Sequence, residues 1–212
     1  MSGRHDFTFE PIPGLPALPP KGEIILWQGR PDTAALAMQA FKIHWVGGYF
    51  VLLMAWRGTV GAGLDGLRGA LAYGLPYIGF GLLACGIVWL LALAQARATV
   101  YTITSARVAM RIGAALSVTL NLPFAQLASA GLAPGPNGTG TIALRMAGAT
   151  RFSYLVLWPN ARPWALDPTE PALRCIPDAA RVAQILADAA ETRLSQPVVS
   201  HAAAAAPLAP AE

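Results

Sequence analysis

Reactive side chains are scarce in this chain of 212 residues, which has three histidines and two cysteines. His5, His44 and His201 lie far apart, and none has a partner at catalytic or metal-ligand spacing. There is no phosphate-binding loop, dinucleotide fingerprint, nucleophile elbow or zinc spacing. The GTGT at Gly138 to Thr141 runs into strand-like sequence, whereas a phosphate loop opens a helix. The sequence therefore predicts no enzyme, no metal and no cofactor. Two cysteines make no disulfide framework, and Cys85 and Cys175 fall in regions of opposite character, as a reducing cytoplasmic face would allow. Charge is thin as well: 12% of residues carry it, and none does between Arg68 and Arg97. From Arg97 onward nine arginines face six acidic residues, all dispersed. That spread excludes a nucleic-acid track and a polybasic lipid patch, leaving at most mild attraction to an anionic membrane surface.

Long apolar runs take the place of charge, and mean hydropathy is +0.48. The uncharged stretch after Arg68 exceeds the ~18 apolar residues that suggest a membrane span. Asp32 sits where an N-cap belongs, ahead of a predicted helix from Thr33 to Trp56, roughly 36 Å long at ~1.5 Å per residue. Lys42 would snorkel at one interface, and Trp45, Tyr49 and Trp56 suit interfacial belts. The reading is a transmembrane region at 33–96 with spans at about 38–56 and 75–96, joined by a glycine-rich connection. Arg30 and Lys42 on one flank, with Arg97, Arg107 and Arg111 on the other, outweigh Arg57 and Arg68 between the spans, so both ends are predicted cytoplasmic. A third span within 58–74 is the second choice. Gly47-Gly48, Gly79 and Gly81 would let helices approach within a hairpin or a homodimer. Residues 1–21 form an arm with five prolines among the first twenty, and Asp6 and Glu10 rule out a signal peptide there. Residues 193–212 are a low-complexity tail.

Alternation dominates the remainder. Val108, Met110 and Ile112, then Leu116, Val118, Leu120 and Leu122, then Ile142, Leu144 and Met146 each recur at period two. They predict antiparallel strands with one buried face. Residues 151–158 read as another strand, 133–140 as a loop and 22–32 as an early β segment. Val182, Ile185, Leu186 and Ala189 then follow a helical period, starting near Pro177 or Asp178. Sheet followed by one helix is the plan of an α+β, pleckstrin-homology-like (PH-like) domain over 97–192.

Two places invite a functional reading. His44 beside Lys42 and Trp45 could ligate a chlorophyll-type pigment, although a plain interfacial histidine is the simpler reading. The segment from Arg162 through Trp164 to Arg174, stiffened by prolines, carries the residue types that anchor protein interfaces. A connector with Trp164 packed on the domain would explain it equally well, with Asp167 and Glu170 pairing the arginines. Trp158, Tyr101 and Arg107 complete the candidate partner contacts.

The order GEIILWQGRPD, apolar hairpin, TVYTITSARVAMRIG, then NGTGTIAL resembles bacterial PH-like membrane proteins, whose strand motif is matched by Tyr101, Ile103, Thr104, Arg107 and Val108. The segments HDFTFEPIPGLPALPPKGEIILWQGRPD and WPNARPWALDPTEPALRCIPDAARVAQILADA are similar to the PuhB family of photosynthetic-complex assembly proteins, over roughly residues 5–190. The resemblance implies a membrane hairpin inserted within an antiparallel PH-like domain that is a sheet or partial barrel with a C-terminal helix. It further implies a chaperone-like assembly factor in the bacterial inner (intracytoplasmic) membrane, binding reaction-centre and core-antenna polypeptides. It carries no catalytic residue. The alternative is a generic membrane-anchored PH-like module binding lipid headgroups or another membrane protein.

Overall fold

The computed structural model describes residues 15, 19–20, 22–114, 117–148 and 152–195. Most of the Pro-rich arm and the Ala/Pro tail beyond Ser195 lie outside them, although Leu15 is buried. The alternating segments pair into two antiparallel sheets. The first holds β1 (Ile25–Gly29), β2 (Val100–Thr104), β3 (Arg107–Ile112) and β4 (Val118–Pro123), side by side in chain order. The second holds β5 (Leu127–Pro134), β6 (Gly140–Met146) and β7 (Ala172–Ile176). Gly29 is registered with Tyr101, so the whole helical region is inserted between two neighbouring strands of one sheet. Arg107 fastens this joint with a two-pronged ion pair to Glu23, Nε to Oε1 at 2.9 Å and Nη2 to Oε2 at 3.1 Å.

The buried faces meet in one core. Tyr101, Ile103, Val108 and Met110 from the first sheet pack with Ile142, Leu144, Leu173 and Ile176 from the second. The helix over Ala179–Ser195, α5, closes this core with Val182, Leu186 and Ala189, as its period predicts (α1 to α4 follow below). Full burial of one such aliphatic side chain stabilises by about 1.5–3 kcal/mol.

The helical insertion departs from prediction in two ways. The helix expected over Thr33–Trp56 breaks early, into α1 (Thr33–Gln39) and α2 (Ile43–Gly74). Lys42 between them has φ 55°, a left-handed conformation that no regular helix continues through. Asp32 does cap α1, its Oδ1 accepting from Ala35 N at 2.7 Å, and its own N–H donates to the Cys175 carbonyl at 2.7 Å. So α1 lies against the domain, with Leu36 buried beside Ala96 and Cys175. Second, the glycine-rich connection is helical, and only Asp65 and Gly66 leave helical geometry, Gly66 at φ 55°. The chain turns back there, so that Gly61 meets Gly69, Met54 meets Gly74 and Phe50 meets Gly81 in a helical hairpin whose second arm continues into α3 (Pro76–Ala98). The helical arms thus extend well beyond the predicted spans, because glycines that would weaken an isolated helix here permit backbone contact. By length and composition the run Ile43–Ala98 is a candidate for crossing a membrane, and little of its most apolar part is buried.

Outside the insertion, the strand predicted over 151–158 is absent from residues 152–158, and Arg151 lies outside the described residues. Tyr154–Leu157 form a single helical turn, α4, with Leu157 alone buried. The predicted loop at 133–140 is the tip of a hairpin in which Pro134 already pairs with Gly140.

Candidate partner-binding surface

Between β7 and the segment after α4 lies a buried polar network. The Tyr101 hydroxyl donates to Asn160 Oδ1 at 2.6 Å and accepts from the Arg174 backbone N–H at 3.2 Å. The Arg174 guanidinium donates through Nη1 to the Pro159 carbonyl at 3.1 Å. Burial holds the Tyr101 phenol well above its usual range and pushes the Cys175 thiol up to about 11, so both are neutral at physiological pH. The chain then doubles back, Ala161 bridging to Pro171, and Glu170 clamps the return. Its buried carboxylate accepts from Arg162 Nη1 and Arg145 Nε, both at 2.8 Å.

Arg162 first, then Arg145, hold the Glu170 carboxyl below the usual carboxylate range. A depressed folded-state pKa adds stability that is present above the unfolded pKa and disappears as pH falls through the folded one. Acidification from about pH 5 to about pH 3 is therefore expected to cost the wild type more than Glu170→Gln. The arginines are half-exposed, so the difference is about 1 kcal/mol or less. Parallel acid titrations of unfolding would show it, and superimposable curves would mean the clamp is idle.

Arg145, Arg162 and Arg174 line a cleft of about 540 Å3 whose floor is β5 and β6 and whose far wall includes Gln39 of α1. Three guanidiniums against the one Glu170 carboxylate leave it a net +2. On the opposite face of β5 runs an apolar groove of about 280 Å3, between Leu132 and Ile142 of the sheet and Leu186 and Ala190 of α5. β5 pairs only with β6 among the described residues, and nearly its whole length is exposed. Its outer edge carries no lysine, and its one proline sits at the end, so little blocks another strand.

Not all predicted contacts lie here. Arg162 and Arg174 line the cleft, Arg174 as a buried wall. Trp164, next to the lining residue Pro163, is 91% exposed with φ 64° and packs on nothing of the kind a connector would need. Trp158 stacks edge-on to Phe41 at 5.1 Å, at the foot of the helical run and away from the cleft. Tyr101 is fully buried and Arg107 joins β3 to Glu23, so both serve the fold. His44 is exposed in the first turn of α2, 6.0 Å from the Trp45 ring, and no cluster of metal-ligating residues occurs among the described residues. Sequence reasoning missed Gln39, Arg145 and all of β5. Small residues on both faces of β5 hide its alternation, and the only signal was its position between two turn segments.

Two antiparallel sheets with a C-terminal helix, and an exposed strand edge beside that helix, define a PH-like domain. The bacterial PH domain family matches residues 45–190, and the chain belongs to that family. The matched stretch takes in most of the apolar helical run and all of the chain from there through most of α5, while β1 and α1 precede it. Among individual proteins, the chain is 50% identical over 211 residues to an uncharacterised 23.7 kDa protein in the puhA 5′ region of Rhodobacter capsulatus, covering 98% of this chain and 99% of that one. The family resemblance drawn from the sequence is thereby borne out. No solved structure matches.

Proposed function

We propose that this protein is a membrane-anchored assembly factor that transiently binds polypeptides of the bacterial photosynthetic reaction centre and its core antenna. The open β5 edge, with a basic cleft on one face and an apolar groove on the other, carries this reading. Strand addition at such an edge supplies main-chain hydrogen bonds, while flanking pockets select side chains. A relative's place in the puhA 5′ region and the resemblance to the PuhB family point to photosynthetic complexes as the source of the partner. The helical hairpin would cross the inner membrane twice, because its arms fold back at Asp65–Gly66 and each is long enough to span about 30 Å at ~1.5 Å per residue. Both ends, and with them the PH-like domain, would then face the cytoplasm, where Trp158 on Phe41 sets exposed Leu155 and Val156 near the bilayer surface.

The test is to tag the protein in a photosynthetic host, solubilise gently during induced assembly and identify what copurifies. Reaction-centre or antenna polypeptides in substoichiometric amounts are expected. Trp164→Ala should reduce their recovery while leaving the unfolding midpoint nearly unchanged, since an exposed side chain is worth within about ±0.5 kcal/mol of stability. A protein that brings down no such polypeptide, with normal complex levels in a deletion strain, would overturn the proposal.

A further inference from the structure

We infer that the segment received at β5 is an extended stretch in which acidic residues alternate with apolar ones. This rests on the strand-edge reading above and adds the chemistry of the partner.

The two faces of the β5–β6 ribbon differ completely. On one, Ser129, Gly131 and Ala133 stand opposite Arg145, Ala143 and Thr141. No β5 side chain on that face is larger than serine, so the floor is low and the guanidiniums of Arg145, Arg162 and Arg174 overlook it. On the other, Ala130 and Leu132 stand opposite Leu144 and Ile142, and the surface continues into the groove beside α5. Successive side chains of any strand point to opposite faces. A strand laid along β5 therefore places every second side chain among the arginines and the others against α5.

The arginine face also has unmet hydrogen-bonding capacity. Arg174 is 5% exposed, yet its Nε is a buried donor without a partner among the described residues. The Gln39 amide nitrogen, on the opposite wall, is another. A carboxylate entering a cleft of net +2 is attracted and can take charge-assisted hydrogen bonds from the half-exposed Arg145 and Arg162 guanidiniums, while lysine or arginine would be repelled. Lipid phosphate could satisfy the same donors, but it would leave the α5 groove on the other face of the strand without an occupant. An alternating segment uses both faces at once.

The experiment uses the full-length protein in phosphatidylcholine nanodiscs and short labelled peptides. One peptide alternates Glu with Val and Leu, a second has Gln for Glu, a third has Lys, and a fourth has the first one's composition in two blocks. Affinity is read together with hydrogen exchange of the β5 amides. The alternating Glu peptide is expected to bind and to slow β5 exchange, and the Gln peptide to bind about tenfold more weakly. The Lys and block peptides should bind weaker still. Arg162→Ser, a change at a half-exposed side chain whose effect on folding the unfolding midpoint checks, should bring the Glu peptide down to the level of the Gln peptide. Equal affinities for Glu and Gln peptides with β5 still protected would overturn the alternation and leave the strand-edge reading standing. Protection absent from β5 with every peptide would overturn the inference outright. So would Arg162-dependent binding of phosphatidylglycerol vesicles without any peptide effect, or peptide binding seen only after deletion of residues 1–18, which would assign the edge to the chain's own arm.

Discussion

Gly61→Val is expected to force the two arms of the helical hairpin apart. A Cβ at Gly61 would collide with the Gly69 carbonyl oxygen and come within 2.9 Å of the Tyr73 ring, and a Cβ at Gly69 would strike the Gly61 carbonyl in return. A flexible side chain could swing away from such a collision, but a helix backbone cannot. Overpacking by a few methylenes costs about 1–3 kcal/mol where side chains can adjust, and a collision with backbone belongs at or above the top of that range. Lower on the same seam, a Cβ at Gly81 would stand 2.8 Å from Phe50 Cβ. The readout can be built from a native residue: a Cβ at Gly47 would lie 3.7 Å from Cys85 Sγ, close enough for Gly47→Cys to form a disulfide with Cys85 on oxidation. Cross-linking should be efficient in Gly47→Cys alone. Adding Gly61→Val should lower its extent by roughly a hundredfold, the ratio that about 3 kcal/mol commands, and adding Gly81→Val, whose clash is with a side chain, by about five- to thirtyfold. An undiminished cross-link in both double variants would show that the arms do not meet along their glycines.

The second large effect is expected at Tyr101. Tyr101→Ala should cost ~3–5 kcal/mol, as truncation of a large buried aromatic does. Tyr101→Phe keeps the ring and removes only the hydroxyl, stranding Asn160 Oδ1 and the Arg174 backbone N–H in the interior. Leaving buried polar groups unsatisfied costs about 1–3 kcal/mol. For a domain of this size each kcal/mol lowers the unfolding midpoint by about 4–8 °C, so the two variants separate the packing of the ring from the bonding of the hydroxyl. A Tyr101→Phe midpoint indistinguishable from the wild type would mean that the hydroxyl holds nothing. Alkaline pH offers a second view. The folded-state pKa of this phenol is raised, so its contribution is fully present below the unfolded value of about 10 and is lost progressively as pH rises from there through the folded value. Tyr101→Phe should therefore lose less stability than the wild type above the unfolded value.

The parts of the fold legible in the sequence were those where a single local rule applies. β3 and α5 are strongly periodic, and Asp32 marks the start of α1 as an N-cap should. The tertiary turns were not legible. Lys42 adopts a left-handed conformation that its residue type does not announce, and the helix predicted through it breaks there. Asp65–Gly66 reverses the chain, whereas the surrounding glycines suggested a loop; their contacts with the opposite arm make helix possible. At the candidate site, the Arg162–Trp164–Arg174 segment stood out by composition, and Glu170 was foreseen as a partner of the arginines. The β5 edge did not stand out. Its side chains are nearly all small, and what distinguishes it is the missing neighbour, a property of the assembled sheet. Tyr101 and Arg107 show the opposite case: a conspicuous motif on β2 and β3 whose visible contacts hold the domain together, with Tyr101 fully buried and Arg107 paired to Glu23.

The insertion of the helices between β1 and β2 has a mechanical consequence. On one side the chain passes from β1 through Asp32, tied to Cys175, into α1. On the other, α3 ends at Ala98 and β2 begins at Val100, with only buried Thr99 between them. A domain hung from one linker can swivel, but this one is held at two points like a door on two hinges, so tilting the helices must twist the sheet. One proteolytic nick at Asp65–Gly66 would not release the domain, because the fragment bearing β1 would stay hydrogen-bonded to β2 and salt-bridged through Glu23 to Arg107. With the helical hairpin crossing a membrane as proposed, a strand captured at β5 would be presented at a fixed height and heading above the bilayer, with the lipid plane as the reference.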